Sequence, residues 1–101
     1  MTQKILAIDD SPEIHQLLKV RLKNLDIELT HAMSGDDGFM QACSSQPDLI
    51  LLDVVMPDSS GFDICQRLKS ESDTQNIPVI FITAASDVEQ KVRGFEVGAV
   101  D

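Results

Sequence analysis

Positive charge is scarce in this chain of 101 residues: 8 Lys and Arg stand against 17 Asp and Glu, a formal net charge of −9. Such a surface repels phosphate-rich polymers and anionic lipid, which excludes direct nucleic-acid binding and membrane-surface attachment as roles of this domain. Long apolar runs are missing too. The longest is a few residues, far short of the roughly 20 that a membrane helix needs, and the N-terminus lacks the apolar core of a signal peptide. The expected location is the cytoplasm. Cysteine is limited to Cys43 and Cys65, which form no close pair and no metal-ligand spacing and so read as reduced, partly buried thiols. His15 and His31 are far apart in the sequence and are assigned no chemistry. Neither G-x-G-x-x-G nor a Walker A sequence is present, so nucleotide binding is not expected. The length admits one domain with a real core and is too short for two of ordinary size.

What is present alternates between short apolar runs and stretches of helical periodicity, with Gly, Pro, Asp or Ser at the joints. Ile5-Leu6-Ala7-Ile8 is continuously apolar, as in a parallel strand covered on both faces, and stops at Asp9-Asp10. Ile14, Leu17, Leu18, Leu22 and Leu25 then recur at helical spacing. Pro12 suits the first turn, and Asp10 with Glu13 has the form of a capping box. Residues 27–31 alternate apolar and polar, which predicts an edge strand, and a second helix starts near Ser34. Leu49-Ile50-Leu51-Leu52, the most hydrophobic run, predicts a central strand and ends on Asp53. A loop over 56–61 leads to a third helix with Phe62, Ile64, Cys65 and Leu68. Pro78 opens a fourth strand, Val79–Ile82, followed by Thr83 and a fourth helix bearing Val88, Val92 and Phe95. Four βα units in series imply a doubly wound parallel sheet.

In such sheets ligands bind beyond the carboxyl ends of the strands. That edge collects Asp9 and Asp10 from the first strand, Asp53 from the third and Thr83 from the fourth. Taken alone, Asp10 reads as a helix cap and Thr83 as an ordinary strand residue. Asp53 is harder to place, because a charge directly after four aliphatic residues is costly unless it is paired, metal-bound or at an open strand end. Three carboxylates in one cleft call for a cation, and a hard one such as Mg²⁺ suits an all-oxygen donor set. A carboxylate beside a bound metal can serve as a nucleophile towards phosphorus, with a nearby hydroxyl to hydrogen-bond the product.

Through Ile8–Pro12, Leu51–Pro57 with Gly61, Ile77–Ala84 and Gly94–Asp101, the chain resembles the receiver domains of response regulators in two-component signalling. The resemblance spans residues 1–101 and implies a flavodoxin-like α/β fold, strand order 2-1-3-4, with a fifth βα unit missing. It implies that Asp53 takes a phosphoryl group from a sensor histidine kinase or a histidine phosphotransfer protein. It also implies that Asp10, Asp53 and the Val55 carbonyl ligate Mg²⁺ directly and Asp9 through water, and that Thr83 is the switch hydroxyl. No enzymatic activity is implied for the domain itself, and the loop over 71–76 is similar to receivers that precede diguanylate cyclase or kinase modules.

Departures from the pattern carry their own expectations. Asp58-Ser59-Ser60 replaces a commoner glycine or glutamate, apolar residue and acid. Apolar Val55 and Ala85 cannot orient a water, which predicts slow loss of an acyl phosphate. The fifth strand, with its aromatic switch residue and its lysine followed by proline, is not found. That makes a non-phosphorylatable interaction module the alternative function, and predicts a bare sheet face with self-association through the edge of the fourth strand. A haloacid-dehalogenase-type phosphatase is disfavoured, since Asp9-Asp10-Ser11 does not supply its D-x-D nucleophile motif.

Overall fold

Ile5, Leu6, Ala7 and Ile8 have no solvent-accessible surface, a state open only to a strand covered on both faces and paired on both edges. They belong to β1 (Gln3–Ile8), which lies between β2 (Ile27–Ala32) and β3 (Leu49–Asp53). With β4 (Val79–Ile82) beyond β3, the order is β2-β1-β3-β4, every pair parallel. This is the flavodoxin-like α/β arrangement, with β3 inside the sheet and alternating, half-buried β2 outside β1. The computed structural model describes residues 2–54, 56 and 60–82. The expected fourth helix, Val55, Thr83 and Ala85 lie outside the described residues.

Three helices make the crossovers: α1 (Pro12–Leu22), α2 (Gly35–Ser45) and α3 (Gly61–Ser70). Side chains alternate across each strand, so one face gathers Ile5, Ala7, Leu49, Leu51, Ile80 and Ile82 against Leu18 and Leu22 of α1. The opposite face gathers Leu6, Ile8, Ala32, Ile50 and Leu52 against Ala42 of α2, Ile64 and Leu68 of α3, and Met56. Gly38 lets α2 sit directly on β1, since a Cβ there would collide with the Ile8 side chain. The expected bare sheet face is not seen at Ile80 and Ile82, which are only 5% and 8% exposed.

Local chemistry sets the helix ends. Ser34 and Ser60 cap α2 and α3 by accepting from the backbone N–H groups of Asp37 and Phe62, each at 3.1 Å. At α1 the outcome differs from the capping box read between Asp10 and Glu13. The N-cap is Ser11, with Pro12 in the first turn, and its hydroxyl donates to the Glu13 carboxylate at 2.9 Å. Asp10 is thereby released from capping and stays exposed. On α1 the expected Leu18 and Leu22 are buried and Ile14 packs against the core, but His15 also faces inward while Leu17 is exposed. On α3, Phe62 is 60% exposed, its ring 5.0 Å from that of Phe81 on β4.

Candidate acidic site at the carboxyl edge of the sheet

Parallel pairing of β1 with β3 places Ile8 opposite Leu52, so the residues that follow them, Asp9 and Asp53, emerge side by side at one edge. Asp9 is buried, at 3% exposure, while Asp53 is half-buried and Asp10 exposed. All three contribute a carboxylate oxygen to a group whose members lie within 4.8 Å of one another. Two full charges at 4.8 Å repel by roughly 3.5 kcal/mol at an effective dielectric constant of about 20. The cluster is therefore a strained arrangement of like charge.

Asp9 registers its burial first and that crowding second. Burial is the main force raising its carboxyl above the ordinary value of 3.8, with Asp53 and Asp10 adding to the rise; the Ser11 backbone N–H and His15 oppose it. The Ser11 N–H donates to Asp9 Oδ1 at 2.8 Å and holds that oxygen in place. The Asp9 amide donates to the Ala32 carbonyl at 3.0 Å, tying the residue to the end of β2.

The donor set fits a small hard cation. Octahedral Mg²⁺ with bonds of about 2.1 Å needs ligand oxygens about 3.0 Å apart when adjacent and about 4.2 Å apart when opposite. Carboxylate oxygens of Asp10 and Asp53 within 4.8 Å of each other are close to the wider spacing, and the Asp9 oxygen, equally near, is placed to accept from a water on the ion. Across the edge, α3 closes on β3: the Gly61 N–H donates to the Val54 carbonyl at 2.8 Å. The structure thus brings Asp9, Asp10 and Asp53 together, while Val55 and Thr83 are outside the described residues.

The chain matches the response regulator receiver domain family over residues 5–101. It belongs to that family. Among curated relatives, the DNA-binding dual master transcriptional regulator RpaA of Synechocystis is 40% identical over 98 residues, covering 97% of this chain and 41% of RpaA. The response regulator PleD of Caulobacter vibrioides is 39% identical over 101 residues, all of this chain and 22% of PleD. The receiver therefore spans about two fifths or less of the length of these two relatives. Among solved structures, the chemotaxis response regulator CheY4 of Vibrio cholerae superposes with a TM-score of 0.77 at 30% identity, covering 98% of this chain and 82% of CheY4. A receiver is a signalling domain rather than a catalytic one. No helix among its described residues is long and apolar enough to cross a membrane.

The histidines are a correction to the sequence reading, in which they were isolated. His15 Nδ1 and His31 Nδ1 are 2.6 Å apart, and His15 Nε2 is 2.7 Å from the Asp9 carbonyl oxygen. The rings meet edge to face with centroids 4.5 Å apart. Burial, followed by His15 and Lys19, holds His31 below its ordinary value of 6.5. The signal for the pair lay in spacing: His15 precedes Leu18 and Leu22 at the three- and seven-residue intervals of a buried stripe.

Proposed function

We propose that residues 1–101 act as one receiver domain that accepts a phosphoryl group on Asp53 from a phosphohistidine of a sensor histidine kinase or a histidine phosphotransfer protein. The supporting observation is the convergence of Asp9, Asp10 and Asp53 within 4.8 Å at the carboxyl edge of a 2-1-3-4 parallel sheet, in a chain of the receiver family. Asp53 is the last residue of β3, an inner strand, so it lies at the carboxyl edge where a donor can approach. An Asp53 carboxylate oxygen bonds to phosphorus as the phosphorus–nitrogen bond of the donor breaks, and the imidazole leaves with that electron pair.

Asp10, Asp53 and the Val55 carbonyl would hold Mg²⁺ directly and Asp9 through water; when bound, the ion supplies positive charge that offsets the phosphoryl oxygens. Asp9, anchored at its amide by Ala32 and at its carboxylate by Ser11, fixes the inner wall of that site. Thr83 is the switch hydroxyl that hydrogen-bonds the transferred group. In this reading the domain works in the cytoplasm.

The test is incubation of the chain with Mg²⁺ and acetyl phosphate, followed by intact-mass measurement, with beryllofluoride as a non-transferring probe. A gain of one phosphoryl mass that vanishes in Asp53→Asn is the expected result. Modification that persists in Asp53→Asn, or none in wild type, rejects Asp53 as the acceptor.

A further inference from the structure

The pair formed by buried His15 and half-buried His31 beside the acidic edge is not used by the phosphoryl chemistry, yet its geometry is specific. His15 occupies a position on the buried stripe of α1 where Leu18 and Leu22 follow, at 6% exposure. A buried imidazole is costly unless both nitrogens are satisfied. Both are: Nε2 lies against the Asp9 carbonyl and Nδ1 against His31. A carbonyl oxygen only accepts, so His15 Nε2 carries a proton and donates it to Asp9.

We propose that His15, braced by His31, is a positioning residue that sets the direction of the Asp9–Asp10 peptide plane and so aims the Asp10 carboxylate at the cation. The inference rests on the cation site proposed above. The Asp9 carbonyl shares one rigid plane with the Asp10 nitrogen. Holding that oxygen at 2.7 Å from His15 therefore fixes where the Asp10 backbone begins. Asp9 is then restrained at its amide by Ala32, at its carbonyl by His15 and at its carboxylate by Ser11. Asp10 is exposed and its side chain has no cap to form, so its aim depends on the plane behind it. Without a donor the buried carbonyl turns to find one, and the plane turns with it. Groups that act behind metal ligands in this way commonly change affinity by about 10- to 100-fold.

The test compares His15→Leu, which cannot donate, with His15→Gln, whose amide nitrogen reaches about as far as imidazole Nε2. Mn²⁺ is titrated into each chain at one near-neutral pH and free ion is read by electron paramagnetic resonance, with urea unfolding alongside. Binding about tenfold or more weaker in His15→Leu, with His15→Gln within about threefold of wild type, is expected. In NMR spectra the Asp10 amide should shift in His15→Leu and hold its place in His15→Gln. Wild-type-like affinity in His15→Leu overturns the inference while leaving the cation site intact. Equal weakening in both variants that tracks lost stability overturns it in favour of packing. A wild-type imidazole spectrum with no proton on His15 Nε2 overturns it without any variant, and a wild type that binds no Mn²⁺ overturns both the inference and the site on which it rests.

Discussion

Gly61 sits so close to Asp53 that a Cβ on Gly61 would overlap the Asp53 carbonyl oxygen, with Val54 Cα close behind. Both obstacles are backbone, so neither can swing aside. Gly61→Ala should push the start of α3 away from β3 at a cost of about 1–3 kcal/mol, the usual range for overpacking. In urea unfolding the midpoint should fall, and Mg²⁺ binding should weaken along with it because Asp53 moves. Unchanged stability would mean that the α3 N-terminus is free to shift.

Asp9 opposes folding at neutral pH. Its folded-state pKa lies above the unfolded value, chiefly through burial and then through Asp53 and Asp10. The folded chain therefore holds that proton more tightly than the unfolded chain. The associated stability is fully present below the unfolded pKa and is lost as pH rises through the folded one. Asp9→Asn, which keeps an oxygen for the Ser11 N–H, should raise Tm at pH 7 in metal-free buffer by a few degrees. That gain should shrink as the pH falls below the carboxylate range. Thermal melts of the two chains at several pH values check the sign, and a lower Tm for Asp9→Asn at pH 7 contradicts it.

Cation binding should act in the opposite direction to that repulsion. A ligand present at a hundred times its dissociation constant stabilises the folded state by about 2.7 kcal/mol. For a domain of this size that corresponds to a rise in Tm on the order of 10 °C. Calorimetry with Mg²⁺, and again after chelation, should show this shift in wild type and a much smaller one in Asp53→Asn. Equal shifts in the two chains would place the bound ion elsewhere.

Much of this was legible in the sequence because the physics is local. The run Leu49–Leu52 could only be a strand covered on both faces, and the charge that follows it had to lie at an open end. The start of α2 near Ser34 was legible as well, and Ser34 proves to be its cap. What escaped depends on tertiary contact. Asp10 and Glu13 satisfied the local grammar of a capping box, but Ser11 takes the cap, leaving Asp10 at the acidic edge. His15 and His31 are 16 residues apart and meet only because β2 pairs with β1 alongside α1. Phe62, counted with the apolar residues of its helix, lies outside the core against Phe81.

Arg67 separates packing from charge. Its guanidinium pairs with the Asp36 carboxylate at 2.8 Å and lies over the Phe39 ring, 4.3 Å from the centroid. The ion pair joins two exposed groups and is worth about 0–1 kcal/mol, so Asp36→Ala should hardly move the urea midpoint. Arg67→Ala loses the pair, the stacking and the cover its stem gives the ring, and should cost more. A double-mutant cycle measures the difference, and equal losses would assign the whole effect to charge.

The buried hydroxyl of Thr74 donates to the Leu68 carbonyl at 2.5 Å just beyond the end of α3. Thr74→Val keeps the shape and removes that donor, leaving the carbonyl with only the longer 3.4 Å bond from the Glu71 N–H, at a cost of about 0.5–1.5 kcal/mol. Hydrogen exchange in the last turn of α3 should rise in this variant, and protection equal to wild type would show that another donor takes over.

Because β1 is flanked by β2 and β3, the chain must return to it twice, the second time with Leu49 beside Ile5. A nascent chain that has reached only residue 46 already displays Asp9 and Asp10 but has no Asp53 to crowd them. The repulsion that Asp53 adds at the acidic edge therefore arises only at the second return, when the most hydrophobic strand docks. Burial of Leu49 to Leu52 drives that step against the gathering charge, and a divalent ion has nothing to grip until the step is complete. The loaded site would then mark the docking of β3, ahead of β4, so ion affinity can serve as a check on that step in newly made protein.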